Sequence, residues 1–144
     1  MSAKVFRLAH QQAREGAAHY ILREAPDGWI VRISEPLKKR EQEEKYHAMI
    51  KDIALQSDYA ERRWVEDDMK RLLVDEFAYE MRLAGTPLRY DSRVVPSENG
   101  LRIIQLGVPT SKFRISEAAA FIDFLYSWGA ERDVRWSEQA KEHA

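Results

Sequence analysis

At 144 residues the chain suits one domain, long enough to bury a core without disulfide or metal staples. It has no cysteine, which excludes disulfides, thiolate metal sites and cysteine nucleophiles and fits a reducing cytoplasm. With 23 Lys and Arg against 24 Asp and Glu, net charge is −1, so no global basic field exists and any nucleic-acid site must come from local clustering.

The pattern predicts an α+β protein beginning with a strand-helix-strand unit. Lys4 to Leu8 is the first strand candidate, and no signal peptide is read there because Lys4, Arg7 and His10 interrupt the apolar residues. A helix is expected over His10 to Ala25, with Ala13, Ala17, Tyr20 and Ile21 at helical spacing. Pro26-Asp27-Gly28 makes a turn, and Trp29 to Ile33 a second strand. Parallel pairing of the two strands requires a right-handed crossover, and antiparallel pairing stays open. Arg7 and Arg32 are expected on one sheet face opposite the apolar one.

Two long helices follow, Arg40 to Ser57 and Val65 to Ala84, each with one apolar face. The join over Asp58 to Trp64 is short, so they should pack as a hairpin, and Gly85-Thr86-Pro87 ends the second. Asn99-Gly100, between Val94-Val95 and Leu101 to Leu106, is a two-residue β-hairpin signal. Pro96 marks an edge strand there. The last helix, Ser116 to Trp128, has Ser116 as its expected N-cap and Gly129 as its expected terminator. Its apolar run is broken by Asp123 and Ser127 and is too short to cross a membrane. Phe121, Phe124 and Trp128 spread over an arc wider than one face of a small subunit needs, which points to a homodimer interface.

Two basic clusters are the candidate DNA-binding sites. Lys38, Lys39 and Arg40 stand at the entry of a helix, where free N–H groups favour anions while the dipole disfavours cations. Lys112 and Arg114 flank Phe113 on the turn feeding the last helix, an arrangement that buries the ring and frees both cations for phosphate. The acidic triplet Glu66-Asp67-Asp68 is a candidate divalent-metal site for a nuclease, with Asp52 or Asp75 in support. Helix-dipole complementarity and the spacings Glu66–Lys70 and Asp67–Arg71 account for the same residues without a metal. The four histidines form no ligand spacing, and no nucleophile elbow, phosphate loop or dinucleotide fingerprint occurs. No catalytic residues, metal or cofactor are therefore expected.

Thr110-Ser111-Lys112-Phe113-Arg114, then a helix, then Gly129-Ala130-Glu131-Arg132-Asp133-Val134-Arg135-Trp136-Ser137 resembles the C-terminal half of the NinB family of phage recombination proteins. A second resemblance runs over Glu35 to Ala54, where Gln42 falls on the family's Gln and Lys45 on a basic position. Glu43 stands there in place of an Asn, and His47 where a Trp is frequent. Trp64 and the acids after it are similar to the family's helix framework. The resemblance implies a dimeric, non-enzymatic binder of single-stranded DNA. Such a protein assists recombinase loading on strands coated by a host single-strand DNA-binding protein, in the cytoplasm of the bacterial host. It adds Gln42 and Lys45 to the DNA-binding residues. A metal-dependent structure-specific nuclease and a protein-only adaptor working through the last helix are the alternatives.

Overall fold

The structure, a computed structural model, describes residues 4–35 and 39–138. The chain divides into two compact units, whose described parts are these two ranges. The architecture is α+β, with four α-helices and one two-stranded antiparallel sheet among the described residues.

In the first unit, His10 caps helix α1 (Gln11–His19) by accepting the Ala13 N–H at Nδ1. The helix widens into a π turn over Tyr20–Glu24, closed by Ala25 N donating to Tyr20 O at 2.8 Å. Pro26 forces Ala25 into extended backbone and ends it. Gly28, at φ +87°, completes the expected turn, with Trp29 N bonded to Pro26 O. The expected strands over Lys4 to Leu8 and Trp29 to Ile33 do not form, and neither segment joins a ladder. No described side chain of this unit is buried, and Ile30 is 87% exposed. Alternating apolar residues make a strand only where a partner and a core face exist, and this unit offers neither.

The second unit holds the core. Helix α2 (Lys39–Gln56) buries Gln42, Tyr46, Met49, Ile50 and Ile53, a single helical stripe. Helix α3 (Glu66–Leu83) opens on three acids that suit its dipole and buries Met69, Leu73, Phe77 and Ala78. It stops at Gly85, whose φ of +79° favours glycine. The two pack as a hairpin through a tight link in which Tyr59 and Arg62 bridge each other. Ala60 and Glu61 take left-handed backbone there, held by Trp64 Nε1 donating to Tyr59 O at 2.7 Å. The Tyr59 hydroxyl donates to Glu76 at 2.5 Å. That bond, with partial burial and the nearby acids, pushes its pKa up to about 12.

Strands β1 (Arg93–Pro96) and β2 (Ile103–Leu106) form the expected hairpin, but its connection is longer than Asn99-Gly100 alone. Ser97 Oγ donates to Asn99 Oδ1, which also accepts Leu101 N, so side chains organise the loop. Helix α4 (Ile115–Glu131) differs from expectation at both ends. Ser116 lies inside its first turn, and the start is held by Glu117 accepting Arg114 N at 2.8 Å. Gly129 does not end the helix but is buried within it. A Cβ on Gly129 would collide with the Trp136 ring, so the position is glycine for close packing.

The wide apolar arc of α4 is covered inside the subunit. Phe121 is 0% exposed, with ring centroids 5.3 Å from Tyr46, 5.2 Å from Phe77 and 5.7 Å from Phe113. It is a core residue, and its assignment to a dimer interface is corrected. Phe124 packs on Phe77, and Trp128 stacks on Tyr59 with the Arg132 guanidinium over its ring. Helices α2 and α3 and the segment returning through Val134 and Trp136 pack on this arc and leave Phe124 and Trp128 half-buried.

Candidate nucleic-acid interface

Pro109 starts a 3-10 turn over Thr110–Lys112, closed by Lys112 N to Pro109 O and Phe113 N to Thr110 O, each 3.0 Å. Phe113 is buried between Tyr46, Phe77 and Phe121. Fixing that ring leaves Lys112 and Arg114 exposed on either side of it.

The start of α2 clasps this turn at three points one helical face apart. Lys39 Nζ donates to Ser111 O at 3.5 Å, Gln42 Nε2 donates to Ile115 O at 3.0 Å, and Tyr46 bonds the Thr110 side chain. Positions 39, 42 and 46 lie on one stripe, so helix geometry sets their spacing. Burial raises the Tyr46 phenol above its ordinary range. Lys39 therefore lies beside the turn that carries Lys112 and Arg114, 72 residues further along the chain. Arg40, with its side chain 90% exposed, forms an i,i+4 pair with Glu44 at 3.4 Å. Lys38 lies outside the described residues.

Two residues expected here are occupied elsewhere. Gln42 is 2% exposed, and its amide joins two helix starts rather than facing a ligand. Lys45 lies 3.7 Å from Glu138, with its ammonium over the Tyr126 ring. It lines a separate pocket with Glu41, Glu44, Asp52 and Glu138. Both readings came from the family resemblance, which matches residue types without fixing where a side chain points. Among the described residues the segments carrying Arg7 and Arg32 form no sheet, so the sheet face expected to hold both cations is absent.

A groove of about 940 Å³ runs between α3 and residues 105–111, beside the clasped turn. Lys70 and Arg71 line it, together with Asp67 and Asp75. Lys70 and Arg71 are spaced to pair with Glu66 and Asp67, but neither ion pair is present among the described residues. The positive charge of Lys70 is felt at His47, which burial and that charge hold below the ordinary imidazole range against the pull of Glu43, Glu66 and Asp67. An i,i+4 spacing on a helix permits a pair without compelling it, which is why these cations were not singled out.

The acids proposed for a nuclease are dispersed. Asp52 accepts both the backbone N–H and the hydroxyl of Ser137, at 3.0 and 3.1 Å. Asp67 and Asp75 line the α3 groove, and no group of three His, Asp or Glu able to hold a metal occurs among the described residues. No helix is long and apolar enough to cross a membrane among those residues.

The sequence profile described as NinB protein matches residues 2–137. The chain belongs to the NinB family. It is 28% identical over 133 residues to the P21 prophage-derived protein NinB of Escherichia coli O6:H1, covering 92% of this chain and 83% of that one. The ninB proteins of Salmonella phage P22 and Escherichia phage lambda match over the same shares, at 28% and 27% identity. A structural-genomics structure of NinB superposes with TM-score 0.58 at 23% identity, over 99% of this chain and 95% of its own, a likeness of fold. Most of the NinB-like signature at 110–137 serves packing here. Thr110 bonds Tyr46, Phe113 and Trp136 are buried, Gly129 admits Trp136, and Ser137 bonds Asp52.

Proposed function

We propose that this NinB-family chain acts in phage recombination, binding single-stranded DNA and assisting recombinase loading on strands coated by the host single-strand DNA-binding protein. It works in the bacterial cytoplasm as a homodimer, with no cofactor and without cutting the strand. The observation that supports the binding reading is the contact of Lys39 with Ser111, which brings the start of α2 beside the turn carrying Lys112 and Arg114. Phosphate contact needs exposed cations, and Arg40, Lys112 and Arg114 are exposed. The bonds of Asp52 to Ser137 weigh against a nuclease centre there.

Salt-dependent titration of a labelled single strand tests this reading. Each phosphate neutralised on a single strand adds about −0.7 to the slope of log affinity against log salt. Contact through Lys39, Arg40, Lys112 and Arg114 predicts a slope of about −3. Lys112→Ala with Arg114→Ala should flatten it by roughly 1.4 and weaken all sequences alike, since phosphates carry no base identity. Glu66→Ala should leave the slope unchanged. Binding indifferent to salt, or a slope intact in the double variant, would remove the basic surface from the function. Magnesium-dependent cleavage of the strand would replace the binding role with a nuclease.

A further inference from the structure

The loop between α3 and β1 meets the start of α4 through one buried carboxylate. Glu117, 8% exposed, accepts the Arg114 N–H at Oε1 and the Arg89 N–H at Oε2, each at 2.8 Å. Leu88, one residue earlier, is buried in the core and fixes the loop from its other side. The backbones of Arg89 and Arg114 are therefore neighbours, and both residues are exposed. Because Glu117 already takes these two N–H groups, an anion arriving there has to be held by the guanidinium groups rather than by the backbone.

Tyr90 stands beside this pair. It is 46% exposed, it takes no part in the core cluster, and the Arg89 guanidinium lies 5.2 Å from its ring centroid. Its hydroxyl has no hydrogen-bond partner among the described residues, so folding makes little use of the ring. Asp91, the acid next to it, accepts Arg82 Nη1 at 2.6 Å and the Ser92 N–H at 2.7 Å, which matches its charge within the subunit. An exposed tyrosine touched by one arginine and close to the root of a second combines what an unpaired strand needs. The flat ring suits a base, and the cations suit the phosphates on either side of it. A duplex keeps its bases stacked on one another and cannot use the ring without unstacking them.

We propose that Tyr90 stacks a base of the bound single strand while Arg89 and Arg114 hold the phosphates next to it, so that this loop carries a preference for single over double strands. The site rests on the single-strand reading above, and it extends the basic turn at Lys112 and Arg114 to the loop after α3.

Titration of labelled single strands and duplexes of equal length tests it with three variants. Tyr90→Ala should weaken single-strand binding about 5- to 100-fold, the range for losing one base stack, and leave the salt slope and the duplex affinity unchanged. Tyr90→Phe keeps the ring and should bind as the wild type does. Arg89→Ala should flatten the single-strand salt slope by about 0.7. A strand of abasic sites should bind the wild type and Tyr90→Ala alike at this position, so the variant should lose less on it than on the normal strand. Unchanged single-strand affinity in Tyr90→Ala, a loss equal on strand and duplex, or an intact slope in Arg89→Ala overturns the site while sparing the single-strand reading. A wild type that binds no single strand overturns both.

Discussion

Phe121→Ala is expected to cost about 3–5 kcal/mol of folding stability, the range for emptying a fully buried aromatic site. For a chain of 144 residues that lowers the melting midpoint by about 10–17 °C. The reason is the number of rings that lose a partner. Tyr46 from α2, Phe77 from α3 and Phe113 from the basic turn all meet Phe121, within 5.7 Å between centroids. An interface residue behaves otherwise, since its truncation changes oligomer mass and leaves subunit stability largely intact at high concentration. Thermal unfolding followed at two protein concentrations separates the outcomes. A fall in midpoint confined to dilute samples would return Phe121 to a subunit contact.

Gly129→Ala should be destabilising by about 1–3 kcal/mol, although alanine is the better helix former by about 1 kcal/mol. The added methyl meets the Trp136 ring with Val134 close by, and a buried ring has little room to retreat. Trp136→Ala alone should cost about 3–5 kcal/mol, by opening a cavity against Tyr126. In that background Gly129→Ala should become neutral or stabilising, because the obstruction has gone and helix propensity remains. The double-mutant cycle, read by chemical denaturation, should therefore give a coupling above about 1 kcal/mol. Additive single effects would mean that the two residues do not meet.

The three long helices were legible because each presents one apolar stripe at helical period, and the stripe is what packs. The turn at Pro26-Asp27-Gly28 and the hairpin around Asn99-Gly100 were legible because glycine supplies the positive φ they require. Trp29 to Ile33 misled because alternation states a preference for a sheet face without stating that a partner strand exists. Gly129 misled because a glycine needed for close approach looks in sequence like one needed for helix termination. Phe121 misled because its cover, Tyr46, Phe77 and Phe113, comes from three other segments of the same chain. At the basic surface, Lys112 and Arg114 were readable from the alternation around Phe113. The joining of Lys39 to Ser111 depends on α2 crossing the turn, and the availability of Lys70 and Arg71 depends on pairs that did not form. Neither is a local property of the sequence.

The return of residues 134–137 also sets an order of assembly. Gln56 exchanges two hydrogen bonds with Arg135 across 79 residues, and Asp52 holds Ser137 across 85. Closing loops of that length carries an entropic penalty that short-range helix contacts avoid, so these bonds form late. During synthesis from the N-terminus the α2–α3 hairpin emerges before α4, with Tyr46 and Phe77 still lacking their cover. The nascent chain therefore shows apolar surface to the ribosome exit and to chaperones until Trp136 and Ser137 are free to fold back against Gly129 and Asp52.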